Sequence, residues 1–167
     1  RRSEVCTAIY GMMPIKSGKI FLNGKEIHIR NTEEAVKNGI SMVSEDRKRY
    51  GLNFSWDIGK NIVISILKPV SKWNFASTKK LAERAKPYFD NLHVKAPSLN
   101  TRVATLSGGN QQKVVIARAL NASPKVMILD EPTKGIDVGS KNEIYQLINE
   151  LAAQGVAIIM ISSSCRS

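Results

Sequence analysis

Cysteine is scarce in this 167-residue chain: Cys6 and Cys165 stand alone near opposite ends, with no metal-ligand spacing. That excludes a disulfide framework and leaves free thiols in a reducing cytosol as the expectation. Long apolar runs are missing too. The longest, Val156–Ile161, falls far short of the roughly 20 residues a membrane helix needs, and no signal-peptide pattern opens the chain. Acidic residues number 14 against 25 Lys and Arg, for a net charge of +11. The stretch 61–104 holds 8 basic and 2 acidic residues and so carries more than half of that excess. A basic surface suits nucleic acid or anionic lipid headgroups. Aromatic residues make up only 6%, with no stacking pattern and no nucleic-acid fold signature, so nucleic acid is not the expected partner. A solvated helical face near a membrane is the expectation instead. Length and a hydrophobic content of 43% are those of one soluble globular domain.

The stretch Leu106–Leu120, L-S-G-G-N-Q-Q-K-V-V-I-A-R-A-L, organises what is present. Ser107 is placed to cap a helix beginning at Gly108 or Gly109, and Val115, Ile116, Ala119 and Leu120 fall at helical spacing to bury one face. The two glycines are expected to leave the first N–H groups of that helix bare. Bare N–H groups beside a serine hydroxyl form an anion site, most naturally for phosphate. Val126–Leu129 then reads as a central parallel strand buried on both faces. It ends in Asp130-Glu131-Pro132, at the strand end where open α/β sheets bind ligands. Asp130 suits a magnesium ion, which prefers hard oxygen ligands, and Glu131 is placed to polarise an attacking water.

With these motifs in hand, the chain resembles the ABC transporter ATPases. L-S-G-G-N-Q-Q-K resembles their signature motif, and V-M-I-L-D-E-P-T-K-G-I-D-V-G their Walker B motif and D-loop. The N-Q-Q-K and G-I-D-V-G forms are most similar to the monosaccharide-uptake branch, of the ribose, xylose, arabinose and galactose types. The resemblance runs from Arg2 to about Ser163. It implies an α/β fold of the P-loop NTPase kind: a parallel-sheet core, an antiparallel β-hairpin region and an inserted α-helical subdomain. Residues 1–50 and 101–167 would be partial ATPase core, and 51–100 the α-helical subdomain. Proteins of that branch carry two nucleotide-binding domains in one polypeptide. This chain resembles part of the second, cut at both ends.

Taken in order, the chain opens on a short helix through Tyr10 that stops at Gly11. The resemblance puts Arg2 at the Walker A lysine and Ser3 at the magnesium-ligand position, but the G-x-x-x-x-G-K-[ST] loop is absent. A ragged terminus with two solvated arginines is the other reading. Ser17–Ile29 reads as a hairpin: Lys19–Leu22, the Asn23-Gly24 turn, then Lys25–Ile29. Asn31 and Glu34 start a short helix that Gly39 ends, and Ile40–Val43 is a strand. The following Glu45-Asp46-Arg47-Lys48 resembles the branch's segment near the Q-loop. Glu45 takes the place of the glutamine that senses γ-phosphate and magnesium, where a carboxylate would repel phosphate. Arg47–Arg49 belongs to that segment or forms a solvated basic turn.

Asp57 is expected to cap a helix carrying Ile58, Ile62 and Ile66, and Pro69–Asn74 to form a linker. Ser77 or Thr78 opens another helix, with Leu81, Ala85, Tyr88, Phe89 and Leu92 on one side, which Pro87 should kink or divide. Trp56, Trp73 and the Tyr88-Phe89 pair read as packing residues. Further on, Ser140 and Glu143 form a capping box for a helix with Ile144, Leu147, Ile148 and Leu151 on its buried stripe. Gly155 ends it, and Val156–Ile161 returns as a second buried parallel strand. Asp137 lies between, as a D-loop aspartate reaching a partner domain or as a loop acid capping nearby N–H groups. Ser162-Ser163 stands where the family carries its switch histidine, and neither His28 nor His93 is placed to substitute.

The resemblance implies ATP and Mg2+ as cofactors and an asymmetric pair of sites. Ser107, Gly108, Gly109, Asn110 and Gln111 would complete a hydrolytic site built mainly by the companion nucleotide-binding domain, with Asp137 reaching across. The chain's own site, of Arg2, Ser3, Glu45, Asp130 and the catalytic Glu131, would be degenerate, so the isolated chain is expected to be inactive. Partners would be a membrane permease and, indirectly, a periplasmic or extracellular sugar-binding protein. The location would be cytoplasmic, peripheral on the inner face of the membrane. The alternatives are a soluble ABC-type ATPase acting on nucleic acid or the ribosome, and an inactive truncated remnant.

Overall fold

The computed structural model describes residues 2–66 and 78–163. Helix α1, Arg2–Ile9, is stopped at Gly11, whose φ of 79° ends the helical path as its N–H donates to the Ala8 carbonyl. Strands β1, Ile20–Leu22, and β2, Lys25–Ile27, form an antiparallel hairpin with Ile20 opposite Ile27. Its turn needs two residues of positive φ, and Asn23 at 51° and Gly24 at 77° supply them. Helix α2, Thr32–Lys37, is capped by Asn31, whose side chain accepts the Glu34 N–H. The Glu34 carboxylate returns to the Arg30 N–H, one residue earlier than an ideal capping box.

Strand β3, Ile40–Val43, occupies the span read from its sequence. It joins β4, Val126–Asp130, and β5, Ala157–Ile161, in a parallel sheet of order β3-β4-β5, with Ile40 opposite Val126 and Val126 opposite Ala157. Helix α6, Val138–Ala153, makes the crossover from β4 to β5. The central β4 is sealed: Met127, Ile128 and Leu129 have no exposed surface. Strand β5 departs from the expected burial, with Ile159 41% and Met160 39% exposed. Among the described residues it pairs on one side only, so its outer edge and part of its faces meet solvent.

Helix α3, Ile58–Val63, is capped by Asp57 through the Lys60 N–H. Helix α4, Thr78–Asn91, and helix α5, Gly108–Leu120, follow. Helix α4 runs undivided through Pro87. The N–H that proline lacks would have served the Glu83 carbonyl, and both residues are exposed, so water can take that acceptor. The linker expected at Pro69–Asn74, Trp73 within it, and Ser77 lie outside the described residues.

Alternation along β4 sends its side chains into two cores. Met127 and Leu129 join Val43, Ile58, Ile62, Ala85, Val103, Val115, Ile116 and Ile144, so α3, α4, α5 and α6 share one cluster with the sheet. Ile128 faces the other way, toward Cys6, Ile29, Ala35 and Ile40. Each such Ile or Leu contributes roughly 1.5–3 kcal/mol by leaving water. Clamped from both sides, β4 holds its carboxyl end at a fixed place.

Candidate functional site

That carboxyl end is Asp130, a carboxylate only 3% exposed. Packing of Cys6 against Ile128 brings the first turn of α1 over the strand, and the Ser3 hydroxyl donates to Asp130 Oδ1 at 3.0 Å. Burial pushes the Asp130 carboxyl above the usual carboxylate range; the Ser3 hydroxyl pulls it down, while the negative charges of Glu45 and Glu131 push it up. Glu45 is itself paired with Lys134 at 3.0 Å. Glu131 adopts a φ of 48°, uncommon for a residue with a side chain. Two bonds hold it there: its N–H donates to the Ile161 carbonyl, and its carboxylate accepts the Ser163 N–H. The structure thus brings Ser3, Glu45, Asp130 and Glu131 to one end of the sheet, and Arg2 is the first residue of α1.

The second group gathers at the start of α5. Ser107 Oγ accepts the Asn110 N–H at 3.4 Å and its side-chain amide at 3.0 Å, which is the cap expected. Beside the expected role of leaving N–H groups bare, the structure gives Gly109 a packing role. Gly109 is buried, and a Cβ there would lie 2.6 Å from Ser140 Cβ and Oγ, so its missing side chain makes room for α6. A Cβ on Gly108 would lie 3.4 Å from the Gly135 carbonyl. Gln111 also turns inward: its amide donates to the Leu106 carbonyl at 3.1 Å and the Val103 carbonyl at 3.3 Å. Asn110 Oδ1 accepts the Lys95 N–H.

Asp137, not Ser140, caps α6: its Oδ1 accepts the Ser140 N–H at 2.9 Å, and those hydrogen bonds hold its carboxyl below the usual range. The expected box of Ser140 and Glu143 is therefore not formed. Glu143 accepts instead from Lys113 at 2.7 Å and Lys95 at 2.8 Å, and the two ammonium groups bring its carboxyl down to about 2. Lys113 is buried and also donates to the His93 carbonyl.

Two arginines add connections that sequence patterns did not reveal. Arg47 Nη1 donates to the Gly108 carbonyl at 2.7 Å, so of the two readings of Arg47–Arg49 the solvated turn does not hold for Arg47. Arg118 Nη1 donates to the Gly51 carbonyl at 2.7 Å. A cation interrupting the apolar text of α5 was the one available signal for Arg118. The resemblance marks the segment that holds Arg47, but nothing local names its partner, which lies far along the chain.

Among the described residues, no group of three or more His, Cys, Asp or Glu side chains could form an all-protein metal cage. The hydroxyl–carboxylate pair of Ser3 and Asp130 nonetheless fits Mg2+, which takes one or two protein oxygens and completes its shell with water and phosphate. A buried carboxylate ringed by further acids gains from a cation there. No helix among the described residues is long and apolar enough to cross a membrane.

The ABC transporter family model matches residues 2–134. The xylose import ATP-binding protein XylG of Moorella thermoacetica is 52% identical over 164 residues, 97% of this chain and 32% of the relative. The ribose import ATP-binding protein RbsA of Geobacillus kaustophilus is 45% identical over 162 residues, 97% of this chain and 33% of the relative. The chain spans about a third of the length of the curated relatives it matches. A nucleotide-free ATP-binding cassette from an ABC transporter superposes with a TM-score of 0.81 at 22% identity, covering 98% of this chain and 66% of that one. A dimeric cassette in a post-hydrolysis state, bound to ADP and phosphate, gives 0.75 at 20% identity, covering 98% of this chain and 70% of that one. On the family match and the identity to its relatives, the chain belongs to the ABC transporter family, and its fold is that of an ATP-binding cassette.

Proposed function

We propose that this chain is part of the second nucleotide-binding domain of an ATP-binding subunit that energises import of a simple sugar. The observation that carries the reading is the hydrogen bond from Ser3 to the buried Asp130, a hydroxyl and a carboxylate paired at the end of the central strand. Relatives named for xylose and ribose import support a monosaccharide as the cargo. Residues 1–50 and 101–167 act as cassette core, and 51–100 as an α-helical subdomain facing the membrane permease. A sugar-binding protein delivers the cargo to that permease, and the ATP-binding subunit sits at the cytoplasmic face.

When bound, Mg2+ supplies positive charge to the phosphate oxygens of ATP, held by Ser3 and Asp130. Glu131, fixed by the Ile161 and Ser163 backbones, keeps Oε2 to accept a proton from water. Arg2 lies in the lysine position, and Glu45 brings negative charge toward the phosphates that Lys134 only partly offsets. These two residues make the chain's own site a slow, regulatory one. Ser107, Gly108, Gly109, Asn110 and Gln111 present the positive end of α5 to ATP held by the companion domain, with the exposed Ser107 hydroxyl foremost. Asp137, exposed at the start of α6, reaches toward the same interface. Closure of the two domains on ATP moves the permease.

A graft tests this. Put in place of the matching third of the Moorella relative, this sequence should sustain Mg2+-dependent ATP hydrolysis and sugar import. In that protein Ser107→Arg, which adds bulk at the exposed face of α5, should lower turnover more than Glu131→Gln, because Glu131 serves the slower site. The reverse order would overturn the asymmetric assignment, and a graft that hydrolyses no ATP would overturn the function.

A further inference from the structure

The turn Arg47–Gly51 is joined to α5 twice, in opposite directions. At its start, Arg47 reaches out to the carbonyl of Gly108, the first residue of the helix. At its end, Gly51 offers its own carbonyl to Arg118, in the last turns of the same helix. At this second bond the turn meets the helix closely, for a Cβ on Gly51 would sit 3.2 Å from Val115 Cγ2. The turn is closed on itself by the Leu52 N–H on the Arg47 carbonyl, and Asp46 caps it through the Arg49 N–H. Just before it stands Glu45, paired with Lys134 beside Asp130.

We propose that Arg47 and Arg118 are positioning residues: a reciprocal pair of guanidinium–carbonyl clamps that makes the 45–51 segment and α5 move as one body. A shift of Glu45 at the edge of the carboxylate cluster is then delivered to the N-terminus of α5 without a direct contact between the two. Each clamp is a hydrogen bond from a charged donor to a main-chain oxygen, of the stronger kind. The two grip points lie ten residues apart along the helix, about 15 Å at the rise of an α-helix. That separation resists rotation as well as sliding. The effect on turnover rests on the function proposed above; the rigid coupling does not.

Amide hydrogen exchange and steady-state kinetics on the grafted two-domain protein test the clamp. Arg118→Ala touches only the far end of α5, yet the amides of Asn110 and Gln111 in its first turn, both bonded to Ser107, should exchange about tenfold faster. Arg47→Ala should do the same. Arg47→Lys keeps the charge but is one bond shorter, and it should behave like Arg47→Ala. In each variant kcat should fall about tenfold with KM for ATP changed less than twofold, because the companion domain's phosphate loop sets ATP affinity and α5 acts on the transition state. Continued protection of the amides of Met127–Leu129 shows that the sheet stands; should Arg118→Ala lose it, the two Arg47 variants are read in its place. Unchanged exchange in the first turn of α5, or full kcat in Arg47→Lys, overturns the proposal. A parent graft without ATPase activity strikes the transport function alone, and exchange still decides the clamp.

Discussion

Asp130 and Glu143 are both acids near lysines, and they respond to pH with opposite sign. Asp130 has its carboxyl raised by burial, so its ionised form is harder to hold in the fold than in the unfolded chain. Its contribution opposes stability at neutral pH, and that penalty fades as pH falls through the raised value toward the ordinary one. We expect Asp130→Asn to raise the Tm of the nucleotide-free protein at pH 7 while abolishing any Tm increase from Mg-ATP; thermal scans with and without nucleotide read both. Glu143 has its carboxyl lowered from 4.5 to about 2 by Lys113 and Lys95. Its contribution is fully present above the ordinary value and is lost as pH falls from about 4.5 to about 2. Glu143→Gln should flatten the acid limb of the Tm profile in that window. At pH 7 it should cost about 1–3 kcal/mol, because the buried Lys113 ammonium loses its only carboxylate partner and keeps neutral acceptors, an amide oxygen and the His93 carbonyl. Half-exposed Glu143 meets water, which places the loss toward the lower figure.

At the scale of elements, helix α5 meets α6 where Gly109 faces Ser140. A methyl group at Gly109 has nowhere to go, and Gly109→Ala should destabilise by about 1–3 kcal/mol. Adding Ser140→Gly removes both atoms it would strike and should recover most of the loss, a coupling that a double-mutant denaturation cycle measures. Helix α4 offers a gain. Pro87 sits exposed inside an undivided helix, so Pro87→Ala should stabilise by roughly 1–2 kcal/mol after the unfolded chain's added freedom is set against it. These two helices mark where local sequence speaks and where it stops. The Ser107 cap, the Asn23-Gly24 turn and the Ile40–Val43 run are local signals, and the elements form where they point. Pro87 is also a local signal, but the packing of Ala85 and Leu92 on either side of it outweighs the missing donor. Asp137 and Ser140 are both able caps three residues apart. Only the path of the chain out of β4 chooses between them.

For the molecule as a whole, β5 presents an unpaired edge among the described residues, with Ile159 and Met160 exposed. Such an edge templates pairing with another copy. Light scattering of the 167-residue chain should show an average mass that climbs with concentration, and Ile159→Lys should suppress the climb. A monodisperse wild-type monomer would rule this out. That β4 is buried on both faces follows from the hydrophobic run Val126–Leu129, which the sequence marks, whereas the place of β3 beside it does not. Nor do the contacts that tie the candidate site together. Ser3 on Asp130, Arg47 on Gly108 and Lys134 on Glu45 each join residues far apart in the chain, through side chains long or polar enough to have served equally on the surface. Pairing of Ile40 with Val126 has one more consequence, in time rather than space. Strand β3 is synthesised well before β4, whereas β4, α6 and β5 follow one another directly. At roughly 5–20 residues per second, the bonding edge of β3 waits several seconds on the ribosome for the strand that pairs with it. During that interval α1, the hairpin and α2 can cover one face of β3, and α3 and α5 reach the other as they emerge, but its bonding edge stays open until β4 follows.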